Sequence, residues 1–124
     1  MAKVLIVEDS PLVVQMLTMV CQGAGHEVIS FERFSAAADY LRQSLPDLIL
    51  TDLNLPDVPG DDTLSELRAI EGVADTPVVI VSGRPSQELQ EIARSSGAQG
   101  ALSKDDGMPV ISQQLPGLID QLTG

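Results

Sequence analysis

Short, uniformly apolar runs alternate along the chain with longer stretches whose apolar residues recur at helical spacing. Runs of four to six residues without polar alternation are typical of strands that are covered on both faces of a parallel sheet. The pattern predicts five strands, at residues 3–7, 27–31, 48–51, 77–82 and 100–103. The fifth is the weakest, because Gly100 and Ala101 have little strand propensity and only its position in the rhythm supports it.

Helices are predicted after every strand, and several have a recognisable start or stop. Ser10 can cap a helix that begins at Pro11 and ends at about Ala24, before Gly25. Ser35 is the expected cap of a short second helix, and Gly97 is the expected stop of the fourth. The third, fourth and fifth helices are predicted at about 61–70, 86–96 and 109–122.

Pro116 lies inside the last predicted helix, between apolar residues that keep helical spacing on both sides. A proline in a helix interior removes one backbone hydrogen bond and its ring clashes with the preceding turn. We therefore expect a kink or a break at this position.

Five strands that alternate with five helices, joined by short connections, predict a doubly wound α/β fold with a parallel sheet. The sequence contains no internal repeat, low-complexity segment or linker. We expect a single domain over residues 1–124.

Composition and charge exclude several kinds of binding site and of cellular location for this chain. The chain has a net charge of -11, and its seven basic residues form no cluster, which argues against direct binding to nucleic acid. The single cysteine, Cys21, excludes an internal disulfide and a cysteine-based metal cage. No apolar run approaches the length of a membrane span and the first residues lack a signal-peptide pattern, so we expect a cytoplasmic protein without a membrane segment.

Chemically capable side chains follow four of the predicted strands. In a parallel sheet the carboxyl ends of the strands meet along one edge, where such folds bind their ligands. The residues at these positions are Glu8, Asp9, Asp52, Ser82 and Lys104. Clustered carboxylates repel one another unless a cation neutralises them, and oxygen-only ligands favour Mg²⁺.

Asp52 is the expected centre of the site, because it ends the most uniformly apolar central run and precedes a loop with Pro56, Pro59 and Gly60. A carboxylate beside a metal ion can attack a phosphoryl group and form an acyl phosphate. Phosphoryl transfer asks the protein mainly for positioning and for positive charge. Lys104 and the Ser82 hydroxyl are the expected partners of phosphoryl oxygens.

These residues, in this order, resemble the response-regulator receiver domains of two-component signalling, and the resemblance covers essentially the whole chain. It implies a flavodoxin-like sheet with strand order 2-1-3-4-5 and a signalling switch rather than a conventional enzyme. The implied chemistry is phosphoryl acceptance on Asp52 from the phosphohistidine of a sensor histidine kinase or histidine phosphotransfer protein, with output through an unidentified downstream protein. The implied Mg²⁺ ligands are Glu8, Asp9, Asp52 and the backbone carbonyl of Asn54, whereas Asn54 and Arg84 occupy positions that influence the dephosphorylation rate.

Two positions depart from the family pattern. Ala101 stands where members usually have an aromatic residue that moves on activation, so the usual coupling of this residue to Ser82 cannot operate unchanged. Asp105 follows Lys104 where members usually have a proline in a cis bond, and a cis bond before a non-proline residue costs about 3–4 kcal/mol. We expect either a trans bond with a rebuilt loop or stored strain.

Other functions and other roles for single residues stay open at this stage. The first alternative is a degenerate receiver that acts as a constitutive docking module without phosphorylation. A haloacid-dehalogenase-type phosphatase would need a second Asp where Asn54 stands, and a flavodoxin would need a hydroxyl-rich loop in place of Glu8 and Asp9. We expect Asp57 to cap or solvate the third helix and His26 to be a surface loop residue.

Overall fold

Five parallel strands form one sheet in the order β2-β1-β3-β4-β5 in the computed structural model, which describes residues 1–124. This is the order implied by the family resemblance, and it is confirmed. The strands are β1 (Lys3–Val7), β2 (Glu27–Phe31), β3 (Leu48–Thr51), β4 (Val78–Ser82) and β5 (Gly100–Ser103). The weak fifth strand is therefore present, paired with β4 along its whole length.

Helices cover both faces of this sheet. They are α1 (Pro11–Gly23), α2 (Phe34–Leu41), α3 (Thr63–Arg68), α4 (Ser86–Ser96) and α5 (Met108–Thr123), with 3-10 turns at Gly60–Asp62, Val73–Asp75 and Lys104–Asp106. The buried residues of α1 and α5 belong to one apolar cluster, whereas those of α2, α3 and α4 belong to another. None of the helices combines the length and the apolarity that a bilayer crossing requires.

The uniform apolarity of the strands follows from this double cover. Along β1, Leu5 and Val7 belong to the cluster under α2–α4, whereas Val4 and Ile6 belong to the cluster under α1 and α5. Successive side chains of a strand point to opposite faces, so a strand between two helical layers needs apolar residues at every position. The central strands β1 and β3 consequently lie at the middle of the core.

The first helix begins as the sequence predicts. The Ser10 hydroxyl accepts a hydrogen bond from the backbone N–H of Val13 at 3.5 Å, and Pro11 occupies the first turn. Gly25, with φ of +89°, lies just past the end. Leu17 and Cys21 are the buried residues of this helix, whereas Ala24 at its end is exposed.

The second helix begins two residues earlier than predicted, and its cap comes from a distant loop. Ser35 is not the cap, because the helix starts at Phe34. The carboxylate of Asp57 accepts hydrogen bonds from the backbone N–H groups of Phe34 at 2.9 Å and Ser35 at 2.8 Å. Partial desolvation acts to raise the pKa of Asp57, but these hydrogen bonds outweigh it and the pKa is lowered. The expectation that Asp57 serves the third helix is therefore wrong.

Asp57→Ala should lower the free energy of unfolding by about 1 kcal/mol, because two N–H groups at the start of α2 lose their acceptor. Urea denaturation followed by circular dichroism measures this change. Asp62→Ala is the matched control, since Asp62 precedes α3 without a side-chain capping bond and its loss should cost less than about 0.5 kcal/mol. Equal losses in the two variants would contradict the assignment of the cap.

The sequence predicts a kink or a break at Pro116; the last helix runs without interruption from Met108 to Thr123, so it does not break there. Buried residues on both sides of the proline hold the helix against the sheet: Ile111, Leu115 and Ile119. Packing of this face outweighs the single backbone hydrogen bond that the proline removes.

The third predicted helix is shorter than expected, because residues 60–62 form a 3-10 turn before it.

His26 is not a surface residue, contrary to prediction. Its side chain is 7% exposed, and its Nδ1 accepts a hydrogen bond from the backbone N–H of Ala2 at 3.0 Å. Its Nε2 lies 3.7 Å from Asp120 Oδ1 on α5. His26 therefore holds the residue before β1 and lies close to the last helix, at the end of the sheet opposite the strands' carboxyl ends.

Arg68 ties together the segments that surround the start of β4. Its guanidinium donates to the carbonyl oxygens of Val73 at 2.8 Å, Thr76 at 2.7 Å and Gly97 at 3.1 Å. It also donates to Gln99 Oε1 at 3.1 Å, an oxygen that accepts a second bond from the backbone N–H of the first residue of β4. One side chain at the end of α3 thus holds both the entry to β4 and the end of α4.

Candidate functional site

The five predicted site side chains lie at the carboxyl end of the sheet, on four neighbouring strands. Glu8 and Asp9 follow β1, Asp52 follows β3, Ser82 ends β4 and Lys104 follows β5. Backbone pairing continues past the named strand ends, because the N–H of Asp52 donates to the carbonyl of Val7 at 3.0 Å. The regular sheet therefore fixes the backbone positions of the acidic residues.

Three carboxylates converge at this edge. One oxygen from each of Glu8, Asp9 and Asp52 lies within 4.8 Å of the others. Glu8 is 2% exposed and Asp52 is 4% exposed, whereas Asp9 is open to solvent. Carboxylate oxygens without a nearby imidazole or thiolate fit Mg²⁺, which binds a few carboxylates and keeps several waters. The donor set therefore fits the metal that the sequence predicts.

Lys104 pairs with both buried acids. Its ammonium group donates to Glu8 Oε1 and to Asp52 Oδ2, the second at 3.0 Å. Burial raises the pKa of Glu8, and the hydrogen bond from Lys104 offsets this only in part. Burial acts to lower the pKa of Lys104, but its bonds to the two carboxylates outweigh this and the pKa is raised. Lys104 consequently stays charged in the site.

Both oxygens of Asp52 are held in place. Oδ1 accepts hydrogen bonds from the backbone N–H groups of Leu53 at 2.7 Å and Asn54 at 3.2 Å. Oδ2 accepts from Lys104. The carboxylate is therefore oriented by its own loop on one side and by the end of β5 on the other. Asn54 itself is exposed to solvent.

Ser82 and Arg84 lie on the loop that follows β4. Ser82 is fully buried, and its hydroxyl lies 3.5 Å from the backbone N–H of Arg84, which donates to it. The Arg84 guanidinium lies 4.0 Å from the carboxylate of Asp61 and 3.7 Å from that of Glu88. The roles expected for Ser82 in phosphoryl binding and for Arg84 in dephosphorylation stay predictions.

The loop after β5 is rebuilt around a trans bond. The chain contains no cis peptide bond, and residues 104–106 form a 3-10 turn closed by the N–H of Gly107 on the carbonyl of Lys104 at 3.1 Å. Sequence reasoning missed Ser103, whose hydroxyl caps this turn by accepting from the N–H of Asp105 at 3.1 Å. The available signal was a serine before Lys104 combined with a residue after it that carries an N–H group.

Ala101 lies on β5 beside a surface cavity of about 530 Å³ between α4 and α5. Its carbonyl accepts a hydrogen bond from the side-chain amide of Gln90 at 3.2 Å. The lining carries no charged group and consists of Gln90, Gly100, Ala101, Leu102, Gln114, Gly117, Leu118 and Gln121. A small side chain at position 101 thus leaves open space along the edge strand.

The sequence profile of the family described as "Response regulator receiver domain" matches residues 4–115 of this chain. The chain is a response-regulator receiver domain. It is 30% identical over 104 residues to Protein PilH of Pseudomonas aeruginosa, covering 84% of the chain and 86% of PilH. It is 29% identical over 124 residues to the virulence transcriptional regulatory protein PhoP of Salmonella typhimurium, of which it spans about half, 54%.

Solved structures support the fold of this receiver domain. The phosphorylated cyanobacterial phytochrome response regulator RcpA matches with a TM-score of 0.82 and 25% identity, over 98% of this chain and 93% of RcpA. The receiver domain of a sensor histidine kinase from Pseudomonas aeruginosa PAO1, which holds magnesium in its active-site cleft, matches in fold with a TM-score of 0.78 and 23% identity, over 96% and 98% of the two chains. Receiver domains are signalling switches of two-component systems rather than conventional enzymes, and they act with histidine kinases or phosphotransfer proteins.

Proposed function

We propose that this receiver domain, over residues 1–124, is a Mg²⁺-dependent switch that accepts a phosphoryl group on Asp52. The donor is the phosphohistidine of a sensor histidine kinase or histidine phosphotransfer protein, and the output is binding to a downstream protein. The observation that carries the proposal is the setting of Asp52, a buried carboxylate oriented by two backbone N–H groups and by Lys104 beside two further acids.

The chemistry is a displacement at phosphorus. A carboxylate oxygen of Asp52 forms a bond to phosphorus, the phosphorus–nitrogen bond of the phosphohistidine breaks, and the imidazole leaves with the bonding electron pair. Glu8, Asp9, Asp52 and the Asn54 carbonyl are the groups that would hold Mg²⁺, which when bound supplies positive charge beside the phosphoryl oxygens.

Lys104 and Ser82 supply the remaining stabilisation in this proposal. Lys104 already donates to Asp52 Oδ2, so its ammonium group is placed to pair with a phosphoryl oxygen that develops there. The Ser82 hydroxyl lies on the adjacent strand and is the proposed donor to another oxygen. Asn54 and Arg84 are proposed to set the lifetime of the acyl phosphate.

The second candidate function is constitutive docking without phosphorylation. Ala101, which leaves an open cavity, and the trans bond before Asp105 favour it, because both alter the segment through which receivers of this pattern are expected to switch. The intact acidic cluster with its lysine favours the phosphorylated switch. The net charge of -11 makes a protein the proposed partner rather than nucleic acid, and the proposed location is the cytoplasm.

Incubation with Mg²⁺ and acetyl phosphate should add the mass of one phosphoryl group to the intact chain. Asp52→Asn and a sample with the metal chelated should both lose this gain. Asp57→Asn is the matched control, because it alters an acid of the same loop whose carboxylate caps α2 instead of joining the carboxylate cluster, and it should keep the gain.

A wild-type chain that gains no mass from acetyl phosphate or from a set of phosphohistidine donors would favour the docking function. A gain that survives in Asp52→Asn would place the acceptor on another residue.

A further inference from the structure

The hydroxyl of Ser103 connects two loops of the site through opposite ends of one group. It donates to the backbone carbonyl of Arg84 at 2.6 Å and accepts from the backbone N–H of Asp105 at 3.1 Å. Ser103 is 3% exposed, so water does not compete for these bonds. A hydroxyl has one proton to donate, and here it goes to the loop after β4.

The backbone N–H of residue 105 is essential to this arrangement. A proline there would carry no N–H and could not donate to Ser103. Asp105 supplies the donor through a trans bond, and its side chain is exposed and plays no part in the relay. The connection therefore runs from the N–H of Asp105 through the Ser103 hydroxyl to the carbonyl of Arg84, and we call these three groups the Ser103 relay.

The relay lies between the two groups expected to contact a phosphoryl group on Asp52. Lys104, whose ammonium group binds Asp52, stands between Ser103 and Asp105 in the chain. Ser82, which is paired in register with Ser103, accepts from the N–H of Arg84. A backbone shift at Lys104 must therefore lengthen the relay or move the loop after β4.

We propose that Ser103 is a positioning residue that couples phosphorylation of Asp52 to the loop after β4. This inference rests on the proposed function. Addition of a phosphoryl group changes the charge that Lys104 pairs with, and the turn at residues 104–106 adjusts to this change. The relay transmits the adjustment to residues 83–85. The two hydrogen bonds of Ser103 thereby connect β5 to β4 without an aromatic side chain at position 101.

Backbone amide chemical shifts test the coupling directly. Beryllium trifluoride with Mg²⁺, a phosphoryl mimic, should shift the amides of residues 83–85 in the wild type. Ser103→Ala should reduce these shift changes at least about twofold while those next to Asp52 persist, and Ser103→Thr, which keeps the hydroxyl, should restore them. Ser112→Ala, at an exposed position of α5, is the control that leaves them unchanged. Equal responses in the wild type and Ser103→Ala would overturn the proposal.

A second pair of variants isolates the N–H of residue 105 and decides the question if Ser103→Ala fails to fold. Asp105→Ala keeps the N–H and should keep the response at residues 83–85. Asp105→Pro removes the N–H and should weaken the response. The same response in both variants would overturn the relay.

Lys104→Met separates the relay from the proposed function, because it alters the turn without any phosphoryl ligand. Failure of beryllium trifluoride to bind the wild type would count against the proposed function alone. In that case Lys104→Met should still shift the amides of residues 83–85 when Ser103 is present and should have a much smaller effect in the Ser103→Ala background. Equal effects of Lys104→Met in both backgrounds would overturn the relay.

Discussion

Lys104→Met should slow phosphoryl acceptance by Asp52 about 100-fold or more. The substitution removes the one positive side chain that contacts Asp52, and removal of a single well-placed donor to a developing oxyanion has an effect of this size. Intact mass measured against time, with acetyl phosphate and excess Mg²⁺, gives the rate. Lys3→Met is the matched control, since Lys3 lies over the ring of Tyr40 and far from the site in its strand, and it should leave the rate unchanged.

The same variant should lose stability when the metal is chelated. Glu8 and Asp52 are buried and would repel each other without a cation, which should lower the free energy of unfolding by about 2–3 kcal/mol. This loss is smaller than that of a fully enclosed pair, because the neighbouring Asp9 is exposed to solvent. Added Mg²⁺ should therefore stabilise Lys104→Met more than the wild type in thermal unfolding. A wild-type rate, or identical stabilisation by Mg²⁺ in both chains, would contradict the role assigned to Lys104.

Arg68→Ala should lower the free energy of unfolding by about 3 kcal/mol. The variant loses charged hydrogen bonds to four backbone carbonyls and to Gln99, which also holds the first residue of β4. Arg68→Lys should recover only a small part, because a single ammonium group cannot reach acceptors spread around a planar guanidinium.

Urea denaturation measures the loss in Arg68→Ala, and Arg94→Ala is its control. Arg94 is exposed on α4, so its removal should change stability by less than about 0.5 kcal/mol. Similar losses for the two arginines would show that the bonds of Arg68 contribute little.

The fold was predictable because most strands can be recognised from their own apolar residues. Val4 to Val7 is apolar at every position because helices cover both faces of the sheet. This pattern is visible within the strand itself and needs no knowledge of distant contacts. The positions of Glu8, Asp52 and Lys104 followed, because parallel strands end along one edge. Their chemical roles stay predictions.

What escaped prediction depends on contacts between distant parts of the chain. Asp57 caps a helix that precedes it by more than twenty residues, and nothing near Phe34 signals this. Pro116 was expected to kink or break α5, but the helix stays continuous because residues on both sides of the proline are buried. The role of Ser103 was not predicted, because it depends on a hydrogen bond to the carbonyl of Arg84. The two residues lie close together only after β4 and β5 pair.

The open space beside Ala101 has a practical consequence for spectroscopy. The chain contains no tryptophan and a single tyrosine, so its intrinsic fluorescence is nearly dark. Position 101 borders a cavity of about 530 Å³ with uncharged walls on α4, β5 and α5. An Ala101→Trp variant would carry a lone indole at that junction, and its emission would report on partner binding or helix movement with little background from the rest of the molecule.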